Sequence, residues 1–244
     1  MRRLQPGDNP SKLLPNPWWK GELDPKDAEQ ATRIHEAAHA VAFETLWIPV
    51  TSVEAGLPEG TKYLGQEIQG RVEWTRGHPQ VVAVAGLIGS EAETRALQEM
   101  GYDDPGLLEN AWWIGGSGDR AYLNRLIDEG HVIDAHQAQE DAIAMLQEEP
   151  IDQAVRGVAE ALEHRGGRLT GYELRQFTRE LPLERGIWVP EGFRPDTSLR
   201  RQAQADDFAE DARRAAQEQA REPPAPAEPP VLDLVPADDF DIDI

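Results

Sequence analysis

The chain has 244 residues, no cysteine and a formal net charge of −21. These values exclude disulfides, thiolate metal sites and cysteine nucleophiles, and they argue against a nucleic-acid backbone or an anionic membrane surface as the main partner. No apolar run approaches the roughly 20 residues of a membrane span, and the opening MRRLQPGDNPSKLL lacks the apolar core of a signal peptide, so a cytoplasmic protein is expected.

The first predicted element is a helix. Asp24 can cap it, Pro25 suits its first position, and Asp27 puts a negative charge in its first turn. Ala28, Ala31, Ile34, Ala38, Val41, Ala42 and Leu46 then recur at helical spacing until Pro49. VTSVEA and KYLGQEIQGRVEW read as two or three short strands forming a small sheet with a hairpin. Pro79 opens a second helix through VVAVAGLIGSEAETRALQEM. Residues 101–118, GYDDPGLLENAWWIGGSG, read as a long glycine-punctuated loop of the kind that usually carries function. DRAYLNRLIDEG, VIDAHQAQEDAIAMLQEE, IDQAVRGVAEALEHRGG and TGYELRQFTREL follow as helices, the last with Thr170 and Glu173 at capping-box spacing. Residues 199–222 suit a solvated helix. The final stretch, with five prolines between 223 and 230 and then mostly carboxylates, should be disordered when alone.

The expected organisation is an arm (1–24), a folded domain (25–181), a charged linker or helical extension (182–222) and a disordered acidic tail (223–244). The expected fold class is α+β, mainly helical: a helix carrying HExxH beside a small sheet, followed by a helical bundle.

That HExxH run, His35-Glu36-Ala37-Ala38-His39, carries the chemistry. Residues four apart on a helix share a face, so both imidazoles can reach one ion, and Glu36, about 100° around, can reach a water on it. A catalytic zinc needs a third protein ligand. Glu91, Glu93, His131, His136, Asp103, Asp104 and Asp119 are candidates by residue type. Asp119 has the merit of opening a helix after the glycine-rich IGGSG. His78, His131, His136 and His164 otherwise read as surface residues. Trp18-Trp19 and Trp112-Trp113 read as core or covering residues, with Trp112-Trp113 also placed to line a cleft. IGGSGD is no phosphate cradle, since no lysine follows it.

HEAAHAV followed by an IPV-T-V strand resembles the peptidase domain of the FtsH family, membrane-anchored ATP-dependent zinc proteases whose motif reads HEAGHA. AVAGLIGSEAETRAL looks like that family's next helix, and GGSGDRAYLNRLI resembles its G-x-S-x-D stretch, where the aspartate is the third zinc ligand. The likeness runs from about residue 28 to 180. It implies zinc held by His35, His39 and Asp119, with Glu36 as the catalytic carboxylate. Ala38 stands where the family has glycine, and neither a GxxxxGK[ST] motif nor a membrane segment is present.

The implied activity is a stand-alone, ATP-independent metalloendopeptidase. It would hydrolyse flexible or unfolded chains with zinc-activated water, and the peptide would lie along an edge strand near residues 62–74. Its partners would be a protein or peptide substrate, with a separate ATPase or a tail-binding partner as further possibilities; nucleic acid and membrane are not expected. The alternative is a catalytically silent relative that uses the fold and tail for protein interaction.

Overall fold

A computed structural model describes residues 4–5, 23–57, 62–63, 66–67, 69–179, 181 and 197–221. The readings of Trp18-Trp19 and of the 223–244 tail lie outside these residues. The fold is α+β and mainly helical, with eight helices and five short strands among the described residues.

Helix α1 (Pro25–Thr45) starts as its sequence predicts, with the Asp24 carboxylate accepting from Lys26 N–H at 2.9 Å. It ends before Trp47, whose φ of +66° turns the chain out of the helix. Every residue from His35 to Thr45 is buried, so the second half of α1 has no solvent face. Helix α2 (Pro79–Glu99), capped by His78, is likewise buried over most of its length. The alanines of α1 and the alanines and glycines of α2 let these two central helices approach closely, and α1·α2 is the most extensive pairing in the protein.

One flank is a three-stranded antiparallel sheet, β4-β1-β5, formed by β1 (Val50–Ala55), β4 (Gly70–Trp74) and β5 (Arg168–Thr170). A separate two-stranded ribbon pairs β2 (Lys62–Tyr63) with β3 (Gln66–Glu67). β5 is a strand where only helices were expected, between the paired glycines 166 and 167 that follow one helix and the Thr170 cap of the next. RLT is too short to show a period of two, and it becomes a strand by pairing with Ser52–Glu54 of β1. The fully buried Glu44 carboxylate ties α1 to this sheet, accepting from Val50 N–H at 2.8 Å and from Arg175 Nη1 at 3.1 Å.

The larger correction concerns residues 101–118. They form helix α3 (Pro105–Gly115), a one-residue elbow at Gly116, and the start of α4 (Ser117–Asp128). Asp104 caps α3 through Leu107 N–H at 2.8 Å, Pro105 takes its first turn, and Leu107, Leu108 and Trp112 supply a buried stripe. The glycines that suggested a loop lie at the ends of this helix, and the cap and stripe outweigh them.

Helices α5 (Ala135–Leu146), α6 (Glu149–His164) and α7 (Gly171–Thr178) complete the core. On α6 the buried residues Ile151, Ala154, Val155, Val158 and Leu162 keep helical spacing, and α7 has the expected capping box of Thr170 and Glu173. In the arm, Leu4 is fully buried. Its N–H donates to Gln139 and its C=O accepts from His136 Nδ1, which is therefore half-buried rather than a surface group.

Tertiary contacts divide the chain into Met1–Gln204 and Ala205–Ile244. Helix α8 (Thr197–Arg221) crosses that division. It is rich in charge and alanine, and Arg213 and Arg214 pair with Glu210 on it. Among the described residues no helix is long and apolar enough to cross a membrane.

Candidate metal centre

Three side chains from two helices meet at one point. His35 and His39 extend from α1 with ring centroids 4.5 Å apart and planes at 80°. Their Nε2 atoms are 2.9 Å apart, and both face Asp119 Oδ2 of α4, at 3.2 Å from His35 and 3.1 Å from His39. The outer nitrogens are already engaged. His35 Nδ1 lies 2.9 Å from Glu93 Oε2, and His39 Nδ1 lies 2.5 Å from the Ala85 carbonyl oxygen. A carboxylate and a carbonyl accept, so both Nδ1 atoms are held as donors and both Nε2 atoms are left facing Asp119. Two imidazole nitrogens and a carboxylate oxygen thus converge within 3.2 Å of one another, a cluster that takes up positive charge, as a proton on Nε2 or as a metal ion. His35, His39 and Asp119 can hold a metal ion.

The electrostatics agree. Burial alone would lower the His35 imidazole, but hydrogen bonds and charges from Asp119 and Glu93 outweigh it and hold the group well above its ordinary value. His39 is raised too, with burial overcome chiefly by the Asp119 charge. Asp119 is held well below the usual carboxylate range against its burial by the His39 charge and the hydrogen bonds of both histidines. This pocket is built to stabilise positive charge. Burial pushes the neighbouring Glu36 carboxyl up to about 7, with the histidine charges pulling against it.

Two glycines make the space. A Cβ on Gly89 of α2 would overlap His39 Nε2 and stand 2.8 Å from His35 Nε2. One on Gly70, at the start of β4, would overlap the Glu36 carboxylate. The signal for Gly89 was present in the sequence: a glycine inside a strong helix, here one of two, costs about 1 kcal/mol relative to alanine and calls for a packing reason.

The other candidates lie elsewhere. Glu93 holds His35 from behind, through the nitrogen that faces away from the Nε2 pair. Glu91 is a buried hub whose Oε1 accepts from Trp112 Nε1 at 2.9 Å and Gln139 Nε2 at 2.7 Å. Asp104 caps α3, Asp103 and His131 are exposed, and His136 binds Leu4. Trp112 and Trp113 are core residues, 2% and 3% exposed, as their sequence predicts. Their partner Arg120 was missed: its guanidinium lies 5.1 Å and 4.6 Å from the two ring centroids. Burial lowers the Arg120 guanidinium to about 10, with the Asp119 and Glu93 charges acting to raise it.

A cleft of about 940 Å³ runs past the three side chains. Residues 69–75 line one wall, and among the described residues β4 pairs only with β1, which leaves its outer edge unpaired. Leu107, Ala111 and Ile114 of α3 line the opposite side. At one end the Trp74 ring stacks on Phe43 (4.4 Å, 16°) and meets Tyr122 edge-on (5.5 Å, 89°). Phe43 follows His39 by one turn of α1, and Tyr122 follows Asp119 by one turn of α4. An aromatic cluster on the cleft lining therefore adjoins the metal-binding point.

No known family model matches the chain, and no curated protein matches it either.

Proposed function

We propose that the chain is a zinc metalloendopeptidase of the FtsH-peptidase kind, acting on flexible or unfolded polypeptide. The observation that carries the reading is the convergence of His35 Nε2, His39 Nε2 and Asp119 Oδ2 beside Glu36, in a cleft that runs along β4, the edge strand of its sheet among the described residues. Their separations of 2.9–3.2 Å approach the roughly 3.3 Å expected between ligands of a tetrahedral ion with bonds of about 2.0–2.1 Å, and a His₂-carboxylate set is a catalytic zinc type. Asp119 is the most exposed of the three, its side chain 27% accessible, so the cleft approaches the site from that side.

Zinc held there supplies Lewis acidity to a water and to the scissile carbonyl. The protein's own groups do the rest. Glu36, one residue from the first ligand and facing the cleft, takes the proton of the attacking water and delivers it to the leaving amine. Glu93 and the Ala85 carbonyl keep both imidazoles in the tautomer that offers Nε2. The β4 edge aligns an extended peptide by main-chain hydrogen bonds, and the Phe43–Trp74–Tyr122 pocket accepts an apolar side chain beside the scissile bond.

Metal analysis of the purified full chain, paired with digestion of an unfolded casein-type substrate, tests this. The expected result is stoichiometric zinc and chelator-sensitive cleavage. Glu36→Gln should keep the metal and lose hydrolysis by roughly 10²–10⁴-fold, the usual worth of a positioned proton-transfer group. A wild type that binds zinc but cleaves no unfolded chain, under conditions where it stays folded, would make the silent interaction module the better reading.

A further inference from the structure

Asp119 is fixed only as firmly as the elbow at Gly116 that precedes it by three residues. From α1 it meets only the two imidazoles, at its carboxylate oxygen; its backbone is set by the elbow. The start of α4 has no side-chain cap, and α3 ends just before the elbow, so its last carbonyls lack helical partners. Arg120 closes this joint. It is 94% buried, it donates from Nη1 to the Trp112 carbonyl at 2.9 Å, and its guanidinium lies against both the Trp112 and Trp113 rings. A cation at the C-terminal end of α3 also complements that helix's dipole. The fit is close on the other side as well: a Cβ on Gly116 would overlap Ser90 Oγ of α2 and stand 2.9 Å from Arg120 Nη1. Trp112 is itself anchored through Nε1 to the buried Glu91. A continuous chain of contacts therefore runs from the α2 core through Glu91 and Trp112 to Arg120, the residue next to Asp119.

We propose that Arg120 is a positioning residue for the metal site: clamped between two tryptophans and a helix-end carbonyl, it sets the angle of the elbow and hence the placement of Asp119 against His35 and His39. This rests on the metal-site reading above. Arg120 touches neither the cleft nor the converging atoms, and its planar guanidinium is what fits both rings and the carbonyl at once. Lysine would keep the charge but not that geometry.

The test uses the full chain with Arg120→Met and Arg120→Lys. Zinc affinity is measured by competition with a chromophoric chelator, and ligand geometry by the visible absorption of the cobalt(II)-substituted protein. Arg120→Met should weaken zinc affinity by roughly tenfold or more, the range seen when a metal ligand's support is removed, and should shift or weaken the cobalt bands. Arg120→Lys should recover only part of the affinity. Should the methionine variant fail to fold, the lysine variant decides by the same two readouts. Lower thermal stability with unchanged zinc affinity and unchanged cobalt bands would reduce Arg120 to a core residue and overturn the proposal. Wild type that binds no zinc would instead overturn the metal-site reading, and this inference with it, so the two failures are separable.

Discussion

The two halves of the converging site are held in opposite ways. His35, Glu36 and His39 stand on an uninterrupted helix that is buried on all sides over the stretch that carries them, so their spacing follows from helical geometry alone. Asp119 stands one turn beyond a glycine elbow between two shorter helices, held by a buried arginine, two tryptophans and the close fit of glycines 115 and 116 against α2. The first half is a property of local sequence. The second is a property of tertiary packing, in which a small change of angle moves a ligand oxygen by a distance that matters to a bond. This contrast says where the site should break.

The most damaging substitution on the α1 side should be one that lies on another helix. Gly89→Ala, in the middle of α2, would ordinarily stabilise a helix by about 0.5–1 kcal/mol. Here the added methyl group meets both imidazole Nε2 atoms, and the sign reverses. The expected outcome is loss of stoichiometric metal, loss of hydrolysis and a lower melting temperature, read by metal analysis and thermal unfolding. A Gly89→Ala protein that gained stability and kept its zinc would show that the α1–α2 approach is looser than the geometry states.

How far the sequence reveals these features depends on how local each one is. The caps at Asp24 and at Thr170–Glu173, the prolines at 25 and 79, and the i, i+4 histidines are all settled within one or two helical turns, and the folded chain has them where the pattern puts them. Strand β5 exists only because Ser52–Glu54 pairs with it, and three residues cannot announce that. Helix α3 was hidden by its own terminal glycines, although Asp104, Pro105 and the Leu107–Leu108–Trp112 stripe were all legible. The meeting of Asp119 with residues about 80 positions earlier was not legible from residue spacing. Its place at a helix start after IGGSG gave it a merit among seven candidates, and the resemblance to a known motif singled it out. The roles of Glu93 behind His35 and of Arg120 between two tryptophans follow from packing and had no sequence signal of their own.

Glu91 and Glu93 sharpen the comparison, because they lie two residues apart on one helix and serve different halves. Glu93 orients His35, so Glu93→Gln or Glu93→Ala should weaken zinc affinity by roughly 10–100-fold with a modest change in stability. Glu91 receives the Trp112 and Gln139 donors, so Glu91→Ala leaves two buried N–H groups without this acceptor and costs about 1–3 kcal/mol for each. Its effect on metal should pass only through the α3 side. Chelator competition and chemical denaturation on the same two variants separate the roles. Equal effects on both readouts would mean that the site and the core are one cooperative unit.

The smallest effect should fall on substrate choice. His39 is followed by Phe43 and Asp119 by Tyr122, so each half of the site contributes one aromatic wall to the pocket around Trp74. Tyr122→Ala removes the wall carried by the elbow helix and leaves Phe43 and Trp74 stacked. A large apolar side chain of the substrate then loses one contact surface, while the metal atoms and Glu36 stay in place. Across a peptide series that differs only in the residue beside the scissile bond, the preference for phenylalanine or leucine over alanine should narrow by roughly tenfold in kcat/KM, with zinc content unchanged. Phe43→Ala should narrow it similarly but with a larger loss of stability, since Phe43 is almost wholly buried on the central helix and Tyr122 is only partly so. If Tyr122→Ala lowered zinc affinity as strongly as a change at Arg120, α4 as a whole would be reporting on the elbow. The division between a ligand turn and a pocket turn on that helix would then have to be abandoned.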